Sequence, residues 1–486
     1  MPPHASHEIY MTSSRIHQPG GYREVIRIAW PLVVSMGSFT LMQFVDRMFL
    51  AWHSPVSIQA ALPAGILSFT FICTFMALCG YANTFVAQYH GAEDPEGCSR
   101  STAQAVWLAF LTWPILLATI PLGLWLLTIS GHEPPVLAEE RIYFTILTAG
   151  GVVVPLGAAI SSFFTGRGET RTNMLATIAG NVVNGVLDYV LIFGKAGFPA
   201  MGIRGAAIAT LIAGLVTPGI LFAIYFSRRY HRVYQTRKHL GIEWRLMVRL
   251  VRFGLPSGIN MLMEIAAFSL FILITGRLGP LSLAISNMAL SINSLAFLPL
   301  IGLGIAAATL VGQYQGRGDS ETAARAARRS VMVGVYYVGT IGLTYFLFPT
   351  LYFSAFTARA SEGFALEELL GTGRQLLMLM AIWGLADAVN VILAGALKGA
   401  GDTRFVLIYS SLLSWGMMVP GVLVLVLVLG GGLLGMWTWA LLYVTLLAIG
   451  YAIRFRGGRW KTIAVIESPP PPPAARPGAE ALAVGD

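Results

Sequence analysis

The sequence predicts an all-α polytopic membrane protein, with twelve transmembrane helices in two pseudo-symmetric six-helix bundles. Composition, the placement of basic charge and an internal repeat carry that prediction. Hydrophobic residues fill 56% of the 486 positions and charged residues only 11%, against roughly 25% charged in an average soluble chain. Mean hydropathy is +0.69. A water-soluble fold cannot cover so much apolar surface, and at about 20 residues per crossing it suffices for about twelve helices. Apolar runs near 25–50, 59–87, 104–129, 140–164, 172–194, 204–226, 250–275, 283–311, 330–354, 372–396, 405–429 and 434–454 supply them.

The loops between these runs alternate sides, and the basic residues do not share them equally. Of 32 Lys and Arg, 25 fall on the side that also carries both chain ends, and only Arg47, Arg141, Lys195, Arg204, Arg277, Arg359 and Arg374 fall on the other. Basic loops stay in the cytoplasm, so both termini are expected there, in a cytoplasmic (inner) membrane. The net charge of +9 is thereby a topology signal, and no nucleic-acid partner is expected. Residues 1–24 form a polar tail with no short apolar core, so no removable signal peptide is expected.

The repeat is legible at loop positions. VAQYHGAEDPEGCSR, from Val86 to Arg100, matches VGQYQGRGDSETAAR, from Val311 to Arg325, at a constant offset of 225. GRGETR, from Gly166, matches GAGDTR, from Gly399, at an offset of 233, and Pro31 matches Pro256 at 225. Six spans per half is an even number, so the two halves run parallel. The halves are then 25–226 and 250–454, joined by a basic linker at 227–249 that reads as a solvated connection. The segment 455–486 contains SPPPPPAARP and reads as a disordered, polyproline-like tail.

Four acids fall inside spans: Asp46, Asp188, Glu264 and Asp387. Each costs roughly 2.5–3.5 kcal/mol at the centre of a bilayer and therefore faces protein or a water-filled cavity. Each has an amide three or four residues away on its own helical face: Gln43 with Asp46, Asn184 with Asp188, Asn260 with Glu264 and Asn390 with Asp387. Interhelical hydrogen bonding alone would be met more cheaply by Asn, Ser or Thr. The acids also break the repeat, since Phe39, Phe271, Val154 and Gly421 stand at the equivalent positions. Buried carboxylates of this kind suit exchange of H⁺, Na⁺ or an organic cation.

Taken together, WPLVVSMGSFTLMQFVDRMFL (Trp30 to Leu50), VAQYHGA, the paired GRGETR and GAGDTR, GLPSGINMLMEIAAF (Gly254 to Phe268) and AIWGLADAVNVILAGALKGAGDTR resemble the multidrug and toxic compound extrusion (MATE) transporters, NorM-like bacterial branch. The resemblance spans about residues 20–460. It implies two six-helix bundles around a central cavity and export of cationic, amphipathic compounds in exchange for H⁺ or Na⁺. It implies an N-lobe coupling cluster at Asp46, Asn184 and Asp188 and a C-lobe cation site, for Na⁺ among others, at Glu264 and Asp387. Some sodium-coupled members carry a tyrosine where this chain has Trp383, whose indole offers a donor but no oxygen ligand. Met42, Phe44, Met261, Met263 and Phe268 are expected to give the cavity adaptable apolar walls.

No cofactor beyond the coupling ion is expected, and the expected partners are small organic cations or drugs and the lipid bilayer, with the chain a monomer. All eight histidines fall in tails or loops, which excludes an intramembrane histidine metal site, and three cysteines give no disulfide framework. GAGD at Gly399–Asp402 fits an intramembrane aspartyl protease pattern, but Asp402 falls in a loop and no Tyr-Asp dipeptide accompanies it, so no enzyme is expected. The alternative is a lipid-linked oligosaccharide flippase on a related scaffold. It would want several intramembrane basic residues for a pyrophosphate, and the sequence places no Lys or Arg deep in a span.

Overall fold

The computed structural model describes residues 18–353 and 366–467. The N-terminal residues 1–17 and the proline-rich stretch 468–486 lie outside the described residues. Twelve helical segments among those described are long and apolar enough to cross a membrane, as the composition demands. The first half comprises α1 (Tyr22–His53), α2 (Pro55–Gly80), α3 (Ala82–Gly91), α4 (Pro95–Ala118), α5 (Ile120–Ile129), α6 (Pro134–Ala149), α7 (Val153–Gly166), α8 (Thr170–Phe193) and α9 (Ile203–Tyr225). After the short α10 (Arg228–Tyr234), the second half comprises α11 (Trp244–Arg277), α12 (Pro280–Gly316), α13 (Ser320–Leu347), α14 (Leu366–Gly399), α15 (Thr403–Leu413), a π-helical turn at Ser414–Met418, α16 (Val419–Leu427) and α17 (Leu433–Arg456).

The repeat is explained by what its residues do. Asp94 and Asp319 are equivalent N-caps: Asp94 accepts the Gly97 N–H at 2.8 Å, and Asp319 accepts the Thr322 N–H at 2.9 Å, satisfying amides that a helix start leaves free. These bonds hold the exposed Asp319 carboxyl below the usual range. Gly168 and Gly401, also equivalent, both turn with positive φ, +77° and +94°, which glycine adopts without a Cβ penalty.

Each bundle has its own apolar core, and the first helix of each half is shared with the other. Val25, Ile28, Ala29 and Leu32 of α1 pack into the core of the second bundle. Leu246 and Leu250 of α11 pack into the core of the first. Both described chain ends meet the start of α13, where Gly20 approaches Thr322 and Lys461 pairs with Glu321 at 2.5 Å. They therefore share one face of the molecule, called here the terminal face.

Three expectations need correction. The segment after residue 455 is packed as far as Glu467: Trp460, in a 3-10 turn at Arg459–Thr462, and Val465 are fully buried. Gln315 Nε2 donates to the Trp460 and Ile463 carbonyls at 3.0 and 3.1 Å. The 227–249 linker is fastened as well as solvated. Tyr230 Oη donates to Glu169 at 2.7 Å, and Arg100 Nε donates to Glu243 at 2.9 Å. That pairing holds the Glu243 carboxyl below the usual range. Cys98, which the apolar runs 59–87 and 104–129 leave in the loop between them, is instead buried within α4, and all three cysteines are free.

Candidate functional site

In the second bundle the acids stand on α11 and α14. Asn260 is fully buried and its amide organises the neighbourhood: Nδ2 donates to Glu264 Oε1 at 3.0 Å and to Ser410 Oγ at 2.6 Å. Asp387 is 6% exposed and accepts from Asn390 Nδ2 at 3.0 Å. These two amide–acid pairs form as their helical spacing requires. Glu264 lies close enough to Asp387 for their charges to interact, and the Trp383 indole is a second polar neighbour of Asp387. Trp383 itself packs edge-on against Trp437, with ring centroids 5.8 Å apart.

Two contributors to this cluster escape a reading of spacing alone. The π-helical turn at Ser414–Met418 buries Ser414 beside Tyr443, whose hydroxyl feels both acids; such turns commonly mark functional positions in helices. Lys398 is the other. Its ammonium donates to Asn260 Oδ1 at 2.7 Å, so a basic side chain does reach into the membrane-spanning core, contrary to expectation. The long stem of lysine, four methylenes, carries the charge inward from a backbone at the helix end.

In the first bundle, Asp188 on α8 is fully buried and Asp46 on α1 is half-buried, with the two carboxyls near enough to act on each other. Ionised carboxylates are acceptors only, so this approach is favourable only with a shared proton or a cation between them. Asn184 is also fully buried. The expected amide–acid pairs do not form here: Gln43 Oε1 accepts from Arg47 Nη2 at 3.4 Å on the exposed side. Among the described residues Asp46 Oδ1, both Asp188 oxygens and both Asn184 side-chain polar atoms have no hydrogen-bond partner. Buried polar atoms are nearly always satisfied, which sets this acid–amide cluster apart from the rest of the bundle.

Near the terminal face the bundles are sealed by the repeat residues, exchanged reciprocally. Gln88 Nε2 donates to the Gly399 carbonyl at 3.2 Å, and its equivalent Gln313 Nε2 donates to the Gly166 carbonyl at 2.7 Å. Asn83 Nδ2 donates to Thr309 Oγ1 at 3.2 Å across the same seam. The crossing of α3 and α12 is backbone-close: a Cβ on Gly91 would lie 1.9 Å from the Gln313 carbonyl oxygen, and one on Gly316 would lie 2.0 Å from that of Gln88. Asp387, twelve residues before Gly399, stands about 18 Å along the helix from this seal. Asp402, of the GAGD stretch, is held on both oxygens by Arg454 at 2.7 and 3.2 Å, a brace between α15 and α17.

The MatE family profile matches residues 31–190 and 256–424, one stretch in each half. The chain is 27% identical over 446 residues to a "Probable multidrug resistance protein NorM" from Thermotoga maritima, covering 91% of this chain and 94% of that one. It is 29% identical over 428 residues to a protein of the same name from Pseudomonas putida, covering 86% and 90%. A solved structure described as the outward-facing conformation of a multidrug resistance MATE family transporter of the MOP superfamily superposes with a TM-score of 0.81 at 19% identity, covering 92% of this chain and all of that one. With the profile matched in both halves of a twelve-span, twice-repeated fold, the chain belongs to the MatE family of membrane transporters.

Proposed function

We propose that the protein is a secondary active multidrug exporter, which carries cationic, amphipathic compounds out of the cell in exchange for H⁺ or Na⁺ by alternating access. The unsatisfied polar atoms at Asp46, Asp188 and Asn184 carry the reading. Buried acceptors without donors are suited to a proton or cation that comes and goes. Glu264 and Asp387 supply a second acidic site in the other bundle. The terminal face is read as cytoplasmic from its Lys and Arg content, in the inner membrane of a bacterium. The sealed seam there supports an outward-open state, the state in which a coupling ion would load.

The relatives named as probable multidrug resistance proteins support drugs as the cargo. Each transport cycle would then load H⁺ or Na⁺ on the carboxylates, release drug outward and rock the bundles about the seam. Ethidium transport in proteoliposomes, with ΔpH and a Na⁺ gradient imposed separately, tests this. Transport driven by either gradient supports the exchanger and identifies its ion. Absence of transport under both removes the proposal.

A further inference from the structure

Lys398 occupies two structures at once. Its ammonium enters the acid cluster through Asn260, at 2.7 Å, and Asn260 passes the contact to Glu264 at 3.0 Å. Its backbone carbonyl belongs to the seam, where it accepts from Tyr81 Oη at 2.8 Å and Thr84 Oγ1 at 3.4 Å, both on the other bundle. The next carbonyl, of Gly399, accepts from Gln88 at 3.2 Å. The repeat has no second copy of this arrangement. Thr165 stands at the equivalent position in the first half, where its Oγ1 accepts from Asn173 of its own bundle at 3.3 Å.

We propose that Lys398 is the positioning residue that couples occupancy of the Glu264 site to the opening of the terminal-face seam. The inference rests on the exchanger reading, with Glu264 as a coupling acid. The Glu264 charge, while present, acts on the inward-turned ammonium, and Asp387 on α14 with the Tyr443 and Tyr451 hydroxyls on α17 are the other titratable groups facing Glu264. A proton on Glu264 removes that counter-charge, and Na⁺ adds a like charge. Either change leaves the half-buried ammonium without its nearest counter-charge, beside a Glu264 side chain that is itself exposed, and this is unfavourable. The nearest relief is for the side chain to withdraw toward the terminal face. Withdrawal displaces the last turn of α14 and the two carbonyls that Tyr81, Thr84 and Gln88 grip. Ion loading thereby loosens the seam, in the order that exchange requires.

The test uses full-length protein in nanodiscs, with spin labels at Glu93→Cys and Arg317→Cys on opposite sides of the seam and the three buried native cysteines replaced by Ala. Inter-label distances are recorded as pH is lowered or Na⁺ added. The parent protein should gain a long-distance population on loading. Lys398→Met should reduce that ion-dependent gain about tenfold, within the range of allosteric couplings, while Lys398→Arg retains most of it. Glu264→Gln should populate the long distance without added ion, and adding Lys398→Met to it should restore the short one. A Lys398→Met protein whose seam responds as the parent does overturns the proposal. If Glu264→Gln leaves both drug exchange and the distance response unchanged, the underlying acid-site reading fails with it. If Glu264→Gln abolishes exchange but Lys398→Met does not alter the seam, the coupling role alone fails.

Discussion

Replacing Gly316 with alanine should loosen the seam without touching either acid cluster. The new methyl would begin 2.0 Å from the Gln88 carbonyl oxygen, whereas ordinary carbon contacts lie near 3.5 Å, so α3 and α12 must part by about 1 Å or more. The obstacle is backbone on both sides, and no side-chain rotation relieves it. Separation on that scale strains the two reciprocal bonds, Gln88 to Gly399 at 3.2 Å and Gln313 to Gly166 at 2.7 Å. Each such bond contributes about 1 kcal/mol net, so losing both shifts the sealed-to-open ratio by about 2 kcal/mol, roughly 30-fold. The assay places a cysteine at Thr309, fully buried in the seam, and measures its labelling by a water-soluble maleimide. Labelling should accelerate roughly 30-fold in Gly316→Ala, and stay at the parent rate in Gly157→Ala, where a Cβ meets nothing within 4 Å. Parent-like labelling in Gly316→Ala would refute the view that the glycine crossing seals the face.

Other expectations rest on single contacts. Asp387→Asn should abolish ion-driven ethidium transport at normal protein levels, and full retention would exclude Asp387 from the coupling site. Arg454→Met leaves Asp402 buried without its partner and should destabilise by about 3 kcal/mol or more, read as a lower Tm in detergent; Asp402→Asn combined with it should recover part of the loss. Glu243, whose carboxyl Arg100 holds low, contributes stability that is fully present above the ordinary glutamate range and lost as pH falls through its depressed value. Acid unfolding scans of Glu243→Gln should therefore lack that component, and an unchanged acid limb would count against the pair. Tyr230→Phe removes the hydroxyl donated to Glu169 at 2.7 Å and should cost about 1 kcal/mol, measured as faster proteolysis of the 227–249 linker.

The parts of the fold readable in the sequence were those fixed by period and composition. Span count, the two-fold repeat and the shared face of the described chain ends follow from apolar runs and from residues recurring at fixed offsets. The C-lobe amide–acid pairs were readable because i, i+3 and i, i+4 neighbours share a helical face whatever the tertiary structure. The same rule failed for Gln43 and Asn184, since Asp46 turns toward Asp188 across two helices and Gln43 turns toward Arg47. Long-range choices of that kind leave no trace in local spacing. Lys398 was hidden by its position: one residue from a helix end, it reads as an ordinary interfacial charge. The π-helical turn at Ser414 was hidden because one extra residue per turn changes no composition.

Val465 closes a core that belongs to the other end of the chain. It is fully buried and shares one apolar core with Phe85, Leu108 and Phe163 of the first bundle, yet it follows all twelve described membrane spans in the chain. During synthesis, then, the first bundle is made well before one of the residues that completes its core. A stop codon or a carboxy-terminal fusion placed just before that valine would injure helices made long before it.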